Sequence, residues 1–172
     1  MVVLPVYAMV SSYYTEVISD CPLCGSSNTY TVRQMVYVVP RVGPTLIASG
    51  RCSSCGFRST WILPMETSGE REIRIEVSKP GDLNRLVLVG ENTDVLIPEL
   101  ELEFLSSELE PGYITTVEGI LLRFYEKLEW LCHVEYRAEC EEKLRELREA
   151  LEGSKRLTIV LRDRYGRSAL LY

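Results

Sequence analysis

The chain has 172 residues, 46% of them hydrophobic and 26% charged, a composition that suits a folded globular protein and excludes disorder for the whole. Its net charge of −6 repels phosphate backbones, so nucleic acid is a poor partner unless a local basic patch intervenes. No apolar stretch reaches the ~20 residues needed to cross a bilayer, and a cytoplasmic protein without a membrane partner is expected.

The first ten residues, Met1 to Val10, are apolar but do not read as a signal peptide. No Lys or Arg forms an n-region, Pro5 interrupts the run, and no small-residue cleavage site follows. Residues 1–14 are expected to pack as an extended segment. The run Tyr30–Val39 is rich in β-branched and aromatic residues and stops at Pro40, which predicts a strand. Gly43-Pro44 marks a turn, and further strands are expected at Thr45–Ala48 and Arg58–Leu63. Beyond a turn region at Glu66–Glu70, Ile73, Ile75 and Val77 alternate with Arg74 and Glu76, the period of a half-buried strand. Leu86–Val89, Val95–Ile97 and Leu100–Phe104 read as short strands.

The pattern changes at Thr115. Thr115 and Glu118 have the spacing of a capping box, and Val117, Ile120, Leu121, Phe124, Leu128 and Leu131 follow a helical period. A second helix carries Cys140, Leu144, Leu147 and Leu151 and ends at Gly153, a natural left-handed C-cap. Leu157–Leu161 and Ala169–Tyr172 return to strand. The domain is thus α+β and mainly β, with an antiparallel helical hairpin inserted at about 115–153.

Six cysteines in a reducing compartment point to metal rather than disulfides. Four form the pattern C-x2-C-x27-C-x2-C: Cys21 and Cys24, then Cys52 and Cys55. Two intervening residues let both thiolates of a pair face one ion. Gly25 and Gly56 let the backbone turn under the metal, so that amide N–H groups point at sulfur. Four thiolates complete a tetrahedral zinc site with no position open for water or substrate, which makes one Zn2+ structural rather than catalytic. Rubredoxin-type iron proteins use similar knuckles, but the long β-rich insert suits a zinc ribbon. Cys132, His133 and Cys140 match no compact zinc spacing, and the expectation is core packing for the cysteines and a solvated turn for the histidine.

No catalytic constellation emerges. His133 is the only histidine, so hydrolytic triads and facial-triad metal sites lack material. Glu101 and Glu103 alternate with leucines and read as an exposed strand face. Helical charges such as Glu141 and Arg145 read as i,i+4 surface support. No phosphate-binding loop motif is present.

Several ordered motifs together resemble the ZPR-type zinc-finger family. They are the two knuckles, Gly69-Glu70-Arg71, Asp82-Leu83-Asn84-Arg85, Ile97-Pro98-Glu99-Leu100, Thr115-Thr116-Val117-Glu118-Gly119, and a closing segment from Leu157 to Ser168. In that last segment the family's Asp-Asp-Pro is replaced by Arg162-Asp163-Arg164, and its Asn by Arg167. The resemblance implies a zinc ribbon over residues 15–63, then a double-stranded β-helix, jelly-roll-like, over 64–172 with the helical hairpin inserted. It implies the single-module form found in archaea. It further implies binding to translation elongation factor one-alpha or a related GTPase, as an adaptor or folding chaperone, with Asp82 and Arg85 as charged candidates for partner contact. A nucleic-acid-binding ribbon is the alternative, resting on Arg33, Arg41, Arg51 and Arg58 near the ribbon and Arg162, Arg164 and Arg167 near the last turn.

Overall fold

A computed structural model describes residues 14–106, 112–134 and 138–172. The chain divides into two compact units, Met1–Met65 and Glu66–Tyr172. The expected extended segment before Tyr14 lies outside the described residues.

The first unit is an antiparallel meander of β1 (Tyr14–Ser19), β2 (Tyr30–Val39), β3 (Gly43–Cys52) and β4 (Arg58–Pro64), in that order across the sheet. The turn between β2 and β3 sits at residues 40–42, with the Val42 N–H bonded to the Val39 carbonyl, so β3 starts at Gly43 and runs well past Ala48. Its extension past Ala48 has a physical reason in the ladder: β2 and β3 pair without a break from Val39↔Gly43 to Tyr30↔Cys52. Gly50 sits inside that ladder because the Tyr30 ring crosses it, and any side chain at 50 would overlap the Tyr30 hydroxyl. Tyr30 is buried, stacks on Phe57 and bonds through its hydroxyl to Ser59.

The second unit holds β5 (Arg71–Val77), β6 (Leu86–Val89), β7 (Thr93–Ile97), β8 (Leu102–Phe104), β9 (Tyr113–Thr116), α1 (Val117–Val134), α2 (Ala138–Leu151), β10 (Leu157–Asp163) and β11 (Ala169–Leu170). These strands make two antiparallel sheets, β5-β10-β7-β8 and β11-β6-β9. Ile75, Val77, Val95, Ile97, Ile159 and Leu161 from the first sheet join Val87 and Val89 from the second in one core. The helices close that core with Val117, Ile120, Leu121, Phe124 and Leu128 from α1 and Leu147 and Ala150 from α2. Phe124 stacks on Phe104 of β8 at 4.2 Å between ring centres. Leu131, expected on the same stripe, is exposed. Leu128 is 8% exposed, so Leu128→Ala is expected to cost about 2–5 kcal/mol, read as a lower midpoint in urea unfolding. A loss below about 1 kcal/mol would place the side chain outside the core.

The helix start differs from the sequence reading. α1 starts directly after β9, at Val117, so the capping position is Thr116, and Thr115 lies one residue too early, paired with Val87. Thr116 caps instead, its hydroxyl oxygen accepting the Gly119 N–H at 3.0 Å. Gly119 is required because a side chain there would strike the Thr115 hydroxyl. The end of α2 is as read: Gly153 is left-handed, its N–H reaches the Ala150 carbonyl, and the Ser154 N–H reaches that of Glu149, a Schellman cap. On the surface of α2, Arg145 faces Glu142 at 3.7 Å and Glu149 at 3.8 Å rather than Glu141.

Cys132 and Cys140 are joined by a disulfide, with Cα atoms 5.7 Å apart, and both pack against the edge of the core. That corrects the expectation that no cysteine pairs: the antiparallel helices bring the last turn of α1 opposite the first turn of α2. His133 is exposed, and its Nδ1 lies 2.8 Å from the Glu129 carbonyl oxygen.

Candidate metal centre

Two knuckles of the same build present the four cysteines. In the first, the Cys21 N–H bonds the Ser26 carbonyl at 3.0 Å and the Gly25 N–H bonds the Cys21 carbonyl at 2.9 Å. In the second, the Cys52 N–H bonds the Phe57 carbonyl at 2.8 Å and the Gly56 N–H bonds the Cys52 carbonyl at 3.2 Å. Gly25 and Gly56 both have positive φ, 70° and 77°, which glycine adopts without the steric cost of a Cβ. The β2–β3 ladder then sets the second knuckle beside the start of β2, where the Ser53 N–H donates to the Thr29 carbonyl at 2.8 Å.

The four sulfur atoms lie within 4.8 Å of one another. Cys21 Sγ is 3.8 Å from Cys55 Sγ, and Cys24 Sγ is 3.9 Å from Cys52 Sγ. A tetrahedron built on Zn–S bonds of about 2.3 Å has edges of about 3.8 Å, so the donor set fits one zinc ion. Cys21 and Cys52 are buried with Tyr30 in a small cluster supported by Val32, Phe57 and Trp61, while Cys24 and Cys55 face outward.

Electrostatics within the cluster favour a cation. The Thr29 hydroxyl, 3.3 Å from Cys52 Sγ, is the largest influence holding that thiol down at about 6, and the backbone N–H groups of Cys55 and Ser54 add to it at 3.4 and 3.3 Å. These are the amides that the glycine-bearing knuckle was expected to aim at sulfur. For Cys55 the Phe57 N–H pulls the same way, but burial and the three neighbouring thiols outweigh it and push that group up to about 12. The Ser26 hydroxyl, 3.4 Å from Cys24 Sγ, lowers Cys24. Four thiols this close resist joint ionisation, and a divalent ion removes the resistance by holding them all as thiolates. Thr29 and Ser26 were not singled out in the sequence, because hydroxyl residues near a knuckle carry no spacing signal of their own.

The other candidates lie elsewhere. Asp82 serves its own turn: its Oδ2 accepts from the Ser78 N–H at 3.0 Å, the Ser78 hydroxyl at 3.1 Å and the Lys79 N–H at 3.2 Å, and Ser78 is the main cause of its lowered pKa. Arg85 reaches the Glu76 carbonyl at 3.4 Å, and its own carbonyl accepts the Val117 N–H at the start of α1. Each of the three closing arginines has an acidic partner: Arg162 with Glu72 at 3.5 Å, Arg164 with Asp94 at 3.8 Å, and Arg167 with Glu91. Arg33, Arg51 and Arg58 come together on the first unit's sheet, whereas Arg41 sits in the β2–β3 turn.

Residues 81–172 match the ZPR1 jelly-roll domain family. The chain is 31% identical to an uncharacterized ZPR1-like protein of Methanocaldococcus jannaschii, over 88% of this chain and 79% of the relative. It is 27% identical to an uncharacterized ZPR1-like protein of Pyrococcus horikoshii, over 90% and 72%. The zinc finger chaperone zpr1 of Schizosaccharomyces pombe is 30% identical over 88% of this chain, which spans only 35% of that longer relative. The zinc-finger names of such relatives agree with the donor set, and the cofactor is a structural zinc. With a matching domain over more than half of its length and a relative of 31% identity along most of both chains, the chain belongs to the ZPR1 family.

Proposed function

We propose that the protein is a cytoplasmic protein-binding module, its ribbon organised by zinc on Cys21, Cys24, Cys52 and Cys55, and that it serves as an adaptor or folding chaperone for translation elongation factor one-alpha or a related GTPase. No catalytic role is assigned to it. One relative is named a zinc finger chaperone, which supports a protein partner. The observation that carries the reading is on α1. Trp130 and Val134, one helical turn apart, are 63% and 64% exposed and lie outside the buried stripe. A large apolar pair left in water on a helix that already buries its other face suits a helix-in-groove contact, and tryptophan is the residue type most often dominant in such interfaces. Leu23, between the first two cysteines, is also exposed and offers a second apolar contact. Of the two charged candidates, Asp82 already has three donors, whereas Arg85 has N–H groups to spare for a partner.

The test is association with purified factor in its GDP, GTP and nucleotide-free states. The hairpin supplies core residues, so deleting it would unfold the unit. Trp130→Ser with Val134→Ser is the cleaner variant. Binding is expected in at least one state, weakened about tenfold or more by the double variant and less by Arg85→Ala. Absence of association at roughly 50 µM in every state sinks the proposed partner. Undiminished binding by the double variant keeps the partner and discards the helix surface.

A further inference from the structure

We infer that the face of the ribbon sheet bearing Arg33, Arg51 and Arg58 is a docking surface for an extended acidic segment of a protein partner. The inference rests on the protein-binding reading above, but it concerns a different surface and does not require that partner's identity.

The register puts the residues together. Thr31, Arg51 and Arg58 lie directly opposite one another across β2, β3 and β4. Glu16, Arg33, Ser49 and Thr60 form the next row across β1 to β4, two residues along each strand and therefore on the same face. Both rows line one depression. Arg51 and Arg58 are direct cross-strand neighbours of like charge, an arrangement that costs stability unless something neutralises it. Neither makes an ion pair or side-chain hydrogen bond among the described residues, in contrast to Arg162, Arg164 and Arg167, each with its carboxylate. Arg33 is paired with Glu16 at 2.8 Å but is itself exposed.

Charge is distributed to match. Residues 1–65 contain four arginines, no lysine and two acids, Glu16 and Asp20, a net +2. The whole chain is −6, so the remainder carries −8. Arginine forks pair bidentately with carboxylates, and the hydroxyls of Thr31, Ser49 and Thr60 around them can donate to the same oxygens. Along a strand, positions two apart are ~6.6 Å apart, which is also the spacing of acids at every second position of an extended peptide. Among the described residues the depression has no aromatic lining, so they do not supply the stacking platform that single-stranded nucleic acid uses. Arg51 and Cys52 are adjacent in β3 and point to opposite faces, so these guanidinium groups are not aimed at the thiolates.

The experiment uses the full zinc-loaded chain and a labelled ten-residue peptide with Glu at every second position, followed by fluorescence anisotropy. Saturable binding that weakens as salt rises from ~50 to ~300 mM is expected. The same peptide with Gln for Glu should bind at least about tenfold more weakly, and R51Q/R58Q should lose about 10- to 100-fold while keeping its zinc. R162Q/R164Q should bind as the parent does. No saturable binding up to ~1 mM, binding indifferent to R51Q/R58Q, or loss of zinc in that variant each overturns the inference, the last by returning the arginines to the metal site. A twelve-base single-stranded DNA that binds more tightly than the peptide, and is lost in the same variant, overturns it in favour of nucleic acid. Elongation-factor binding, measured separately, keeps the two readings apart: peptide binding without factor binding rejects that partner alone, and factor binding untouched by R51Q/R58Q with no peptide binding rejects this face alone.

Discussion

Cys52→Ser is expected to unfold the ribbon unit. The reason lies in what surrounds the knuckles. Among the described residues, the cluster at the cysteines is Cys21, Tyr30 and Cys52 with three partly buried neighbours, Val39, Thr45 and Ala48 are buried elsewhere in the sheet, and every residue of β1 is exposed. Ordering costs roughly 1–2 kcal/mol per residue for the backbone alone, and a cluster of that size does not hold the knuckle end of the sheet without a covalent or metal link. Zinc binding in such modules is worth about 10–16 kcal/mol, and it is realised as folding free energy. Cys52 is the ligand position with the most support, since it meets the Thr29 hydroxyl and two backbone N–H groups. Hydrogen exchange should show β2 and β3 amides losing protection while β6 and β10 keep theirs, because the second unit has its own core. Chelation of the parent should reproduce the pattern. Unchanged protection in β2 and β3 with zinc lost would show that the sheet stands without the metal.

The second large effect is expected at Asp163. Its carboxylate is fully buried and holds the closing loop from inside: Oδ1 accepts the Tyr165 N–H at 3.0 Å and the Gly166 N–H at 2.9 Å, and Oδ2 accepts the Ser168 N–H. Ser168 in turn meets Thr93 at 2.9 Å, accepts the Gly90 N–H at 2.9 Å, and receives Arg71 on its carbonyl. Asp163→Ala leaves three backbone donors without an acceptor in a buried loop and is expected to cost ~3–5 kcal/mol in chemical denaturation. Asp163→Asn keeps one carbonyl oxygen for part of the fan and should recover about half of that. A cost below about 1 kcal/mol for the alanine variant would mean that water replaces the carboxylate and that the loop is not organised by it.

These elements also show what the sequence conveys. The two knuckles were legible because tetrahedral thiolate ligation restricts spacing so tightly, and the hairpin because its apolar period is helical from Val117 to Leu128. Gly153 was legible because a left-handed cap narrows the choice of residue. β1 was not, since six exposed residues carry no alternation of burial to read. β9 was missed because Tyr113–Thr116 runs straight into α1, and the same continuity shifted the cap from Thr115 to Thr116. The Cys132–Cys140 disulfide depends on the facing of two helices, which spacing alone does not report. The closing arginines read as a loop gaining positive charge. Their acidic partners Glu72, Asp94 and Glu91 come from β5, β7 and the segment before β7, and only the folded topology brings them near. Asp82 reads in sequence as a charged residue that either meets a partner or caps its turn, and the cap depends on donors from Ser78 and Lys79, just before the turn at Pro80–Asn84.

Elemental analysis of the protein purified under reducing conditions tests the central claim, that one structural zinc organises the ribbon, most directly. One zinc per chain, no iron and a colourless solution are expected from four thiolates closed around a d10 ion. Iron in stoichiometric amount with a visible thiolate-to-iron absorption, or a folded ribbon that carries no metal, would contradict it.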